Sequence, residues 1–310
     1  MNISVILYSC IYNMKLMKFR NLYFFISLIF LIPGLISLAL FGLRPSVDFS
    51  GGTLLEVQMS NDKCQILDSE LTSQLEGKFQ IDSVQSSGEC QFILRGKEIS
   101  NEQKDLVLNV LQMQFGEVQE LRFETVGPTL GRELLLKTLI AVAVVASIIT
   151  LYVWRQFDEL KYGVCAILAM FHDSLILLGS FSLLGHFFGV EVDVLFVTAL
   201  LTTLSFSVHD TIVVYDRIRE LKRLHPKLQF VQIVNAAVIQ TLARSINNSL
   251  TIILMLLSLV LLGGVTIRWF AVALLIGSIT GTYSSTFTAA PLLLLWEQVK
   301  QKRNLSPRSL

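Results

Sequence analysis

Residues 191–220 read EVDVLFVTALLTTLSFSVHDTIVVYDRIRE, and the fold turns on this stretch. From Val192 it is apolar for long enough to cross a bilayer as a helix. Yet His209 and Asp210 lie inside the apolar run, and the charged cluster Asp216, Arg217, Arg219 and Glu220 stands where that run stops. An ionisable side chain in hydrocarbon is costly and is kept where it faces a bundle interior or an ion path. The stretch reads as one span of a polytopic membrane protein, with the other spans building a cavity around it.

The composition agrees. A chain of 310 residues that is 53% hydrophobic and only 16% charged is too apolar for an ordinary soluble domain. The formal net charge of +1 points to no nucleic acid, because the basic residues follow topology and do not gather in one patch. The sequence has no Gly-rich phosphate loop, metal-ligand cluster or nucleophile elbow. The expectation is therefore a protein that is not an enzyme and has no cofactor and no metal.

Outward from the opening stretch, five more runs are long enough to span: Asn21–Gly42, Leu134–Trp154, Tyr162–Phe188, Ser245–Gly263 and Trp269–Trp296. The first follows Lys15, Lys18 and Arg20 and is too long for a signal-peptide core, so it reads as an uncleaved span. The arrangement is one plus five: residues 1–20 as an inner start, 21–43 as the first helix, 44–132 as a separate domain, 133–296 as a five-helix bundle and 297–310 as a tail. Arg155 and Lys161, the group from Arg217 to Lys227, and Lys300 to Arg308 fall on one side. The opposite links, near His186–Glu191 and Gly264–Arg268, hold almost no basic residue. By the positive-inside rule both termini are cytoplasmic and residues 44–132 face outward. Between the fourth and fifth spans, Leu228–Gln240 has the pattern of an amphipathic helix lying on the membrane surface.

Residues 44–132 have soluble-type periodicity. Strands are expected at Thr53–Met59, Gln80–Gln85, Gln91–Arg95 and Glu117–Thr125, with helices at Gln65–Phe79 and Ile99–Phe115. Ser100 with Gln103 makes a capping box for the second helix. This βαββαβ order is that of a ferredoxin-like α+β domain. Cys64 and Cys90 would fall at one end of its sheet, either as a disulfide in an oxidising compartment or as two unrelated thiols.

Two polar rows mark the fourth span. Thr198, Thr202, Ser205 and His209 form one, and Thr203, Ser207 and Asp210 the other, about 100° away. Hydroxyl rows of this kind serve helix packing or line a polar path. Asp210 lies six residues before Asp216, in the cytoplasmic third of its helix. Arg244, at a similar depth on the next span, is its candidate partner, or else snorkels to the headgroups. His172 and Asp173 repeat the His-Asp pair near mid-bilayer in the third span, as a proton relay or as a satisfied interhelical contact. Gly277, Gly281, Ser284 and Thr288 form a small-residue packing seam in the last span.

Six motifs in order carry a resemblance: Asp48-Phe-Ser-Gly51-Gly52, Val126-Gly-Pro-Thr-Leu-Gly131, Phe171-His-Asp173, Ser207 to Glu220, Gln240-Thr-Leu-Ala-Arg-Ser245 and Ile276 to Ser285. From about Met14 onward the chain resembles the SecF side of the bacterial SecD–SecF protein-export family, itself related to the resistance-nodulation-division transporters. The resemblance implies a SecD-like partner, a place beside the SecYEG channel in the cell inner membrane, and use of the proton gradient to promote movement of a translocating preprotein. It also implies that Asp210 and Arg244 match positions used for proton conduction, with Asp48, Gly51 and Gly52 at the entry to the outward domain. His209 departs from the asparagine common at its position and adds a titratable group. A small-molecule or lipid half-transporter, and a non-conducting insertion scaffold, are the alternatives that the same architecture allows.

Overall fold

The computed structural model describes residues 15–59, 81–88, 90–157 and 159–305. Among the described residues six helices are long and apolar enough to cross a membrane. A 3-10 turn, Leu16–Phe19, leads into α1 (Arg20–Leu40). After a four-stranded sheet and α2 (Asn101–Phe115) come α3 (Pro128–Gln156), α4 (Leu160–Phe188), α5 (Val194–Leu224), α6 (Phe230–Leu262), α7 (Val265–Ser284) and α8 (Ala290–Leu305). A π-helical turn, Ser285–Ala289, joins α7 to α8.

The helix ends follow local chemistry. Pro128 opens α3, where a missing N–H costs nothing. The Asp193 carboxylate caps α5 by accepting from Phe196 N–H at 2.7 Å. Gly189 closes α4 in the left-handed region, φ 70°. Pro33 lies within α1 without ending it, as membrane helices tolerate.

The chain divides into two compact units, Pro45–Ile140 and the remainder. In the first, β1 (Gly52–Met59), β2 (Ile81–Gly88), β3 (Gln91–Gly96) and β4 (Val118–Val126) form one sheet in the order β2-β3-β1-β4. Every neighbouring pair is antiparallel. Its core joins Leu55, Val57, Phe92 and Leu94 of the sheet to Val107 and Leu111 of α2. The expected capping box is present at Ser100 and Gln103. The expected helix over Gln65–Phe79 and Cys64 lie outside the described residues. Cys90, in the turn between β2 and β3, is disulfide-bonded.

In the helical unit the core gathers at one end. Phe157, Tyr162 of α4 and Tyr215 of α5 form an aromatic trio with centroids 5.4 to 5.8 Å apart. Ile218, Val234, Ala237 and Leu293 close around it.

One expectation is corrected here. The surface-lying helix over Leu228–Gln240 and the span from Ser245 are a single 33-residue helix, α6. No Pro or Gly interrupts Phe230–Leu262, so nothing breaks the backbone ladder. The apolar face of its first half, Ile233, Val234, Ala237 and Val238, is buried in the core and does not lie in headgroups. Likewise α5 continues past Tyr215 to Leu224.

Candidate functional site

A seam of hydroxyls and carboxylates runs through the helical unit where α4, α5, α6 and α7 meet. Its most enclosed member is Asp173, with no exposed surface. One of its oxygens meets His172 Nδ1 at 2.9 Å. The other accepts from Ser284 Oγ at 2.5 Å. Ser207, also fully buried, faces this carboxyl from α5. Among the described residues the His172 Nε2 atom is buried without a hydrogen-bond partner. The cluster therefore holds one carboxyl, one imidazole and two hydroxyls contributed by three helices, with donor capacity left over.

Asp210 is the second carboxylate, half-buried on α5. Its Oδ2 accepts from Ser245 Oγ of α6 at 2.9 Å. Arg244, the residue before, is exposed, and among the described residues no ion pair joins it to Asp210. The helical rotation explains this: consecutive residues point about 100° apart, so Ser245 and Arg244 cannot both face α5. His209 is exposed too, along with Thr198 and Ser205 of its row, while Thr203 and Ser207 of the other row are buried. One polar row of the span is thus spent inside the bundle and the other is presented outward.

The small residues of α7 are what bring these groups close. A Cβ on Gly277 would collide with the Thr203 hydroxyl and approach its Cβ to 2.9 Å. At Gly281 an added Cβ would meet Ser207 at an ordinary 3.5 Å. Farther along, Ser284 reaches Asp173 and Thr288 pairs with Ser27 of α1 at 3.2 Å. The π-helical turn begins one residue after Ser284, and the carbonyl of its last residue, Ala289, accepts from the Tyr215 hydroxyl at 2.9 Å. Turns of this kind leave carbonyls to be satisfied from outside the helix.

A second close crossing was not visible in the sequence. Gly34 of α1 and Gly179 of α4 stand back to back, and a Cβ on Gly179 would come within 2.5 Å of the Gly34 Cα. Beside them Ser37 and Ser182 share a hydrogen bond of 2.8 Å, and Ser182 also donates to the Gly42 carbonyl. Two lone glycines 145 residues apart give no local signal. Glycine paired with serine one turn away in each helix is the pattern that could have suggested them.

In the sheet unit the motif residues at the domain entry also have a steric account. Ser46 caps the one-turn helix Val47–Ser50 through Asp48 N–H at 3.2 Å. Gly51 and Gly52 then take φ of 74° and 115°, values that side chains disfavour. A Cβ on Gly51 would sit 2.7 Å from the Pro128 Cα, and one on Gly131 would sit 2.9 Å from the Gly51 nitrogen. The Asp48–Gly52 and Val126–Gly131 motifs are therefore two sides of one tight backbone contact.

At the end of the bundle that holds the aromatic trio, Glu159 bridges two lysines. It pairs with Lys161 at 2.9 Å and Lys222 at 2.8 Å, and Lys161 also pairs with Glu297 of α8 at 3.0 Å. Burial pushes the Glu159 carboxyl up, but the hydrogen bonds and charge of the two lysines outweigh it and hold the group down to about 2.

Comparison with known proteins bears on this geometry. Residues 107–299 match the family described as protein export membrane protein SecD/SecF, C-terminal, and residues 36–63 match the SecD/SecF GG motif. The protein translocase subunit SecF of Thermobaculum terrenum is 42% identical, covering 91% of this chain and 93% of its own length. That of Anaerolinea thermophila is also 42% identical, covering 90% and 92%. The crystal structure of SecDF, a translocon-associated membrane protein from Thermus thermophilus, superposes with a TM-score of 0.80 at 32% identity. It covers 91% of this chain, which spans only 38% of that longer one. Six apolar helices, the glycine motif at the head of the sheet and matches of this extent agree on one conclusion: the chain belongs to the SecD/SecF family of protein export membrane proteins.

Proposed function

We propose that the chain is the SecF-type subunit of a proton-driven protein-export unit, working with a SecD-like subunit to promote preprotein movement through the SecYEG channel. The observation that carries this reading is the polar seam between α4 and α5: an enclosed Asp173 cluster, a half-buried Asp210, and an outward row of Thr198, Ser205 and His209 on a membrane span. An exposed hydroxyl and imidazole row in hydrocarbon is costly unless another protein surface covers it. Relatives named SecDF in Bacillus subtilis and Thermus thermophilus carry a segment like this one within a longer chain, which supports a SecD-like partner for that face. On this reading Arg244 finds its carboxylate on the partner subunit, and Asp210, His209, His172 and Asp173 carry protons between the two sides.

The energy source is then the gradient, with no cofactor and no chemistry of the chain's own. One charge moving through 100 mV releases about 2.3 kcal/mol, so a few protons suffice for a domain motion of moderate cost. The basic links support a reading with both termini in the cytoplasm, in an inner membrane, and the sheet unit outside. The sheet order supports a ferredoxin-like reading of that unit, since the fold pairs its strands in this sequence and direction.

The test is Asp210→Asn in the complete complex, with preprotein translocation into vesicles followed with and without a proton gradient. The gradient-dependent part should fall at least tenfold while basal translocation persists. Full gradient-dependent export in the variant overturns the reading.

A further inference from the structure

A groove of about 690 Å³ lies between the start of α1 and the first turns of α6. Lys15, Lys18 and Arg20 line one wall, Gln229 and Gln232 the other, and Gln298 of α8 closes it. Among the described residues no carboxylate lines it, and none of the three basic side chains is in an ion pair. This contrasts with the other basic cluster at the bundle end, where Lys161 and Lys222 are neutralised by Glu159 and Glu297.

The floor is fixed. Met17 is buried, and its N–H donates to Asn235 Oδ1 of α6 at 3.2 Å. At the start of α6 the Gln232 side-chain oxygen accepts from the Gln229 N–H at 3.3 Å, which leaves the Gln232 NH2 group to donate. The rim has apolar side chains: Leu228 and Val231 of the lining are exposed, and α1, which opens at Arg20 in the wall, carries Leu22 exposed two residues on.

We propose that this groove binds the headgroup of an anionic phospholipid from the leaflet in which α1 begins. Three unpaired cations and amide donors match a phosphodiester whose negative charge is not offset by a headgroup ammonium. The exposed apolar rim, continuous with the start of a membrane span, takes the acyl chains. A soluble phosphate would use the cations and leave the rim bare. An acidic peptide would leave it in the same state. The lipid would fasten the entrance of the first span to the start of α6.

The experiment is native mass spectrometry of the purified full chain in detergent, titrated with phosphatidylglycerol and, separately, phosphatidylcholine. Phosphatidylglycerol should bind preferentially, and Lys15→Gln with Lys18→Gln and Arg20→Gln should weaken it roughly fivefold per residue, about a hundredfold together. A control, Lys302→Gln with Arg303→Gln and Arg308→Gln, removes the same charge from the tail and should leave binding unchanged. Gln298→Glu puts a carboxylate into the groove while keeping the basic flank that orients the first span, and should weaken binding several-fold. Equal binding of the two lipids overturns the proposal, as does equal loss in the tail control or no effect of Gln298→Glu. Displacement of the lipid by millimolar inorganic phosphate or by an acidic peptide would likewise show that the acyl chains play no part and overturn it.

Discussion

At the scale of single residues, the two glycines of the α7 seam are not equivalent. Gly277 has no room for a Cβ against Thr203, which is itself buried and donates to the Ala199 carbonyl, whereas Gly281 has ordinary space beside Ser207. Gly277→Ala should cost about 1–3 kcal/mol as an overpacked contact, and Gly281→Ala should be neutral or slightly stabilising. Thermal unfolding in detergent separates them, and Thr203→Ala should recover much of the Gly277→Ala loss, as expected of contacting residues. The sequence marked both positions by spacing alone, because a stripe of small residues records that a neighbour comes close and not how close. In the same way it placed Asp210 at the centre and Asp173 second. Burial reverses the order of enclosure, since Asp173 has helices on every side and Asp210 does not. The pairing of Asp210 with Ser245 in place of Arg244 comes from helix rotation, which a depth argument does not contain.

At the scale of elements, the spans were legible because eighteen or more apolar residues in a row have few other uses. The strands of the sheet unit emerged within a few residues of expectation for a similar reason, alternation bounded by turn residues. Helix α6 was divided wrongly, because the polar residues Gln240, Arg244, Asn247 and Asn248 look like an interface between two elements when burial is unknown. The crossing of α1 with α4 was invisible for want of long-range information. It supplies a sharp test: with Ser37→Cys and Ser182→Cys, the pair now joined at 2.8 Å should cross-link readily under oxidation. Adding Gly179→Leu should abolish that cross-link, since backbone atoms of Gly34 oppose the new side chain and cannot turn aside. Cross-linking that survives the leucine would mean the two helices do not rely on this contact.

At the scale of the whole molecule, one end of the bundle is tied by charge, and the tie has a pH signature. Glu159 is held at about 2 against an ordinary 4.5, so the folded state favours its ionised form. Its contribution is present in full above the ordinary value and is lost as pH falls from about 4.5 toward 2. Thermal stability of the native protein should decline across that window, and Glu159→Gln should flatten the decline there. Partial exposure and salt keep the effect modest. The unbroken course of α6 has a mechanical consequence. Its 33 residues make a rod about 50 Å long, and Ser245, where Asp210 holds it, lies near the middle. That contact is a fulcrum. A tilt of about 10° there would sweep the two ends roughly 4 Å in opposite directions, so any displacement at the pivot would be felt at both ends of the rod at once.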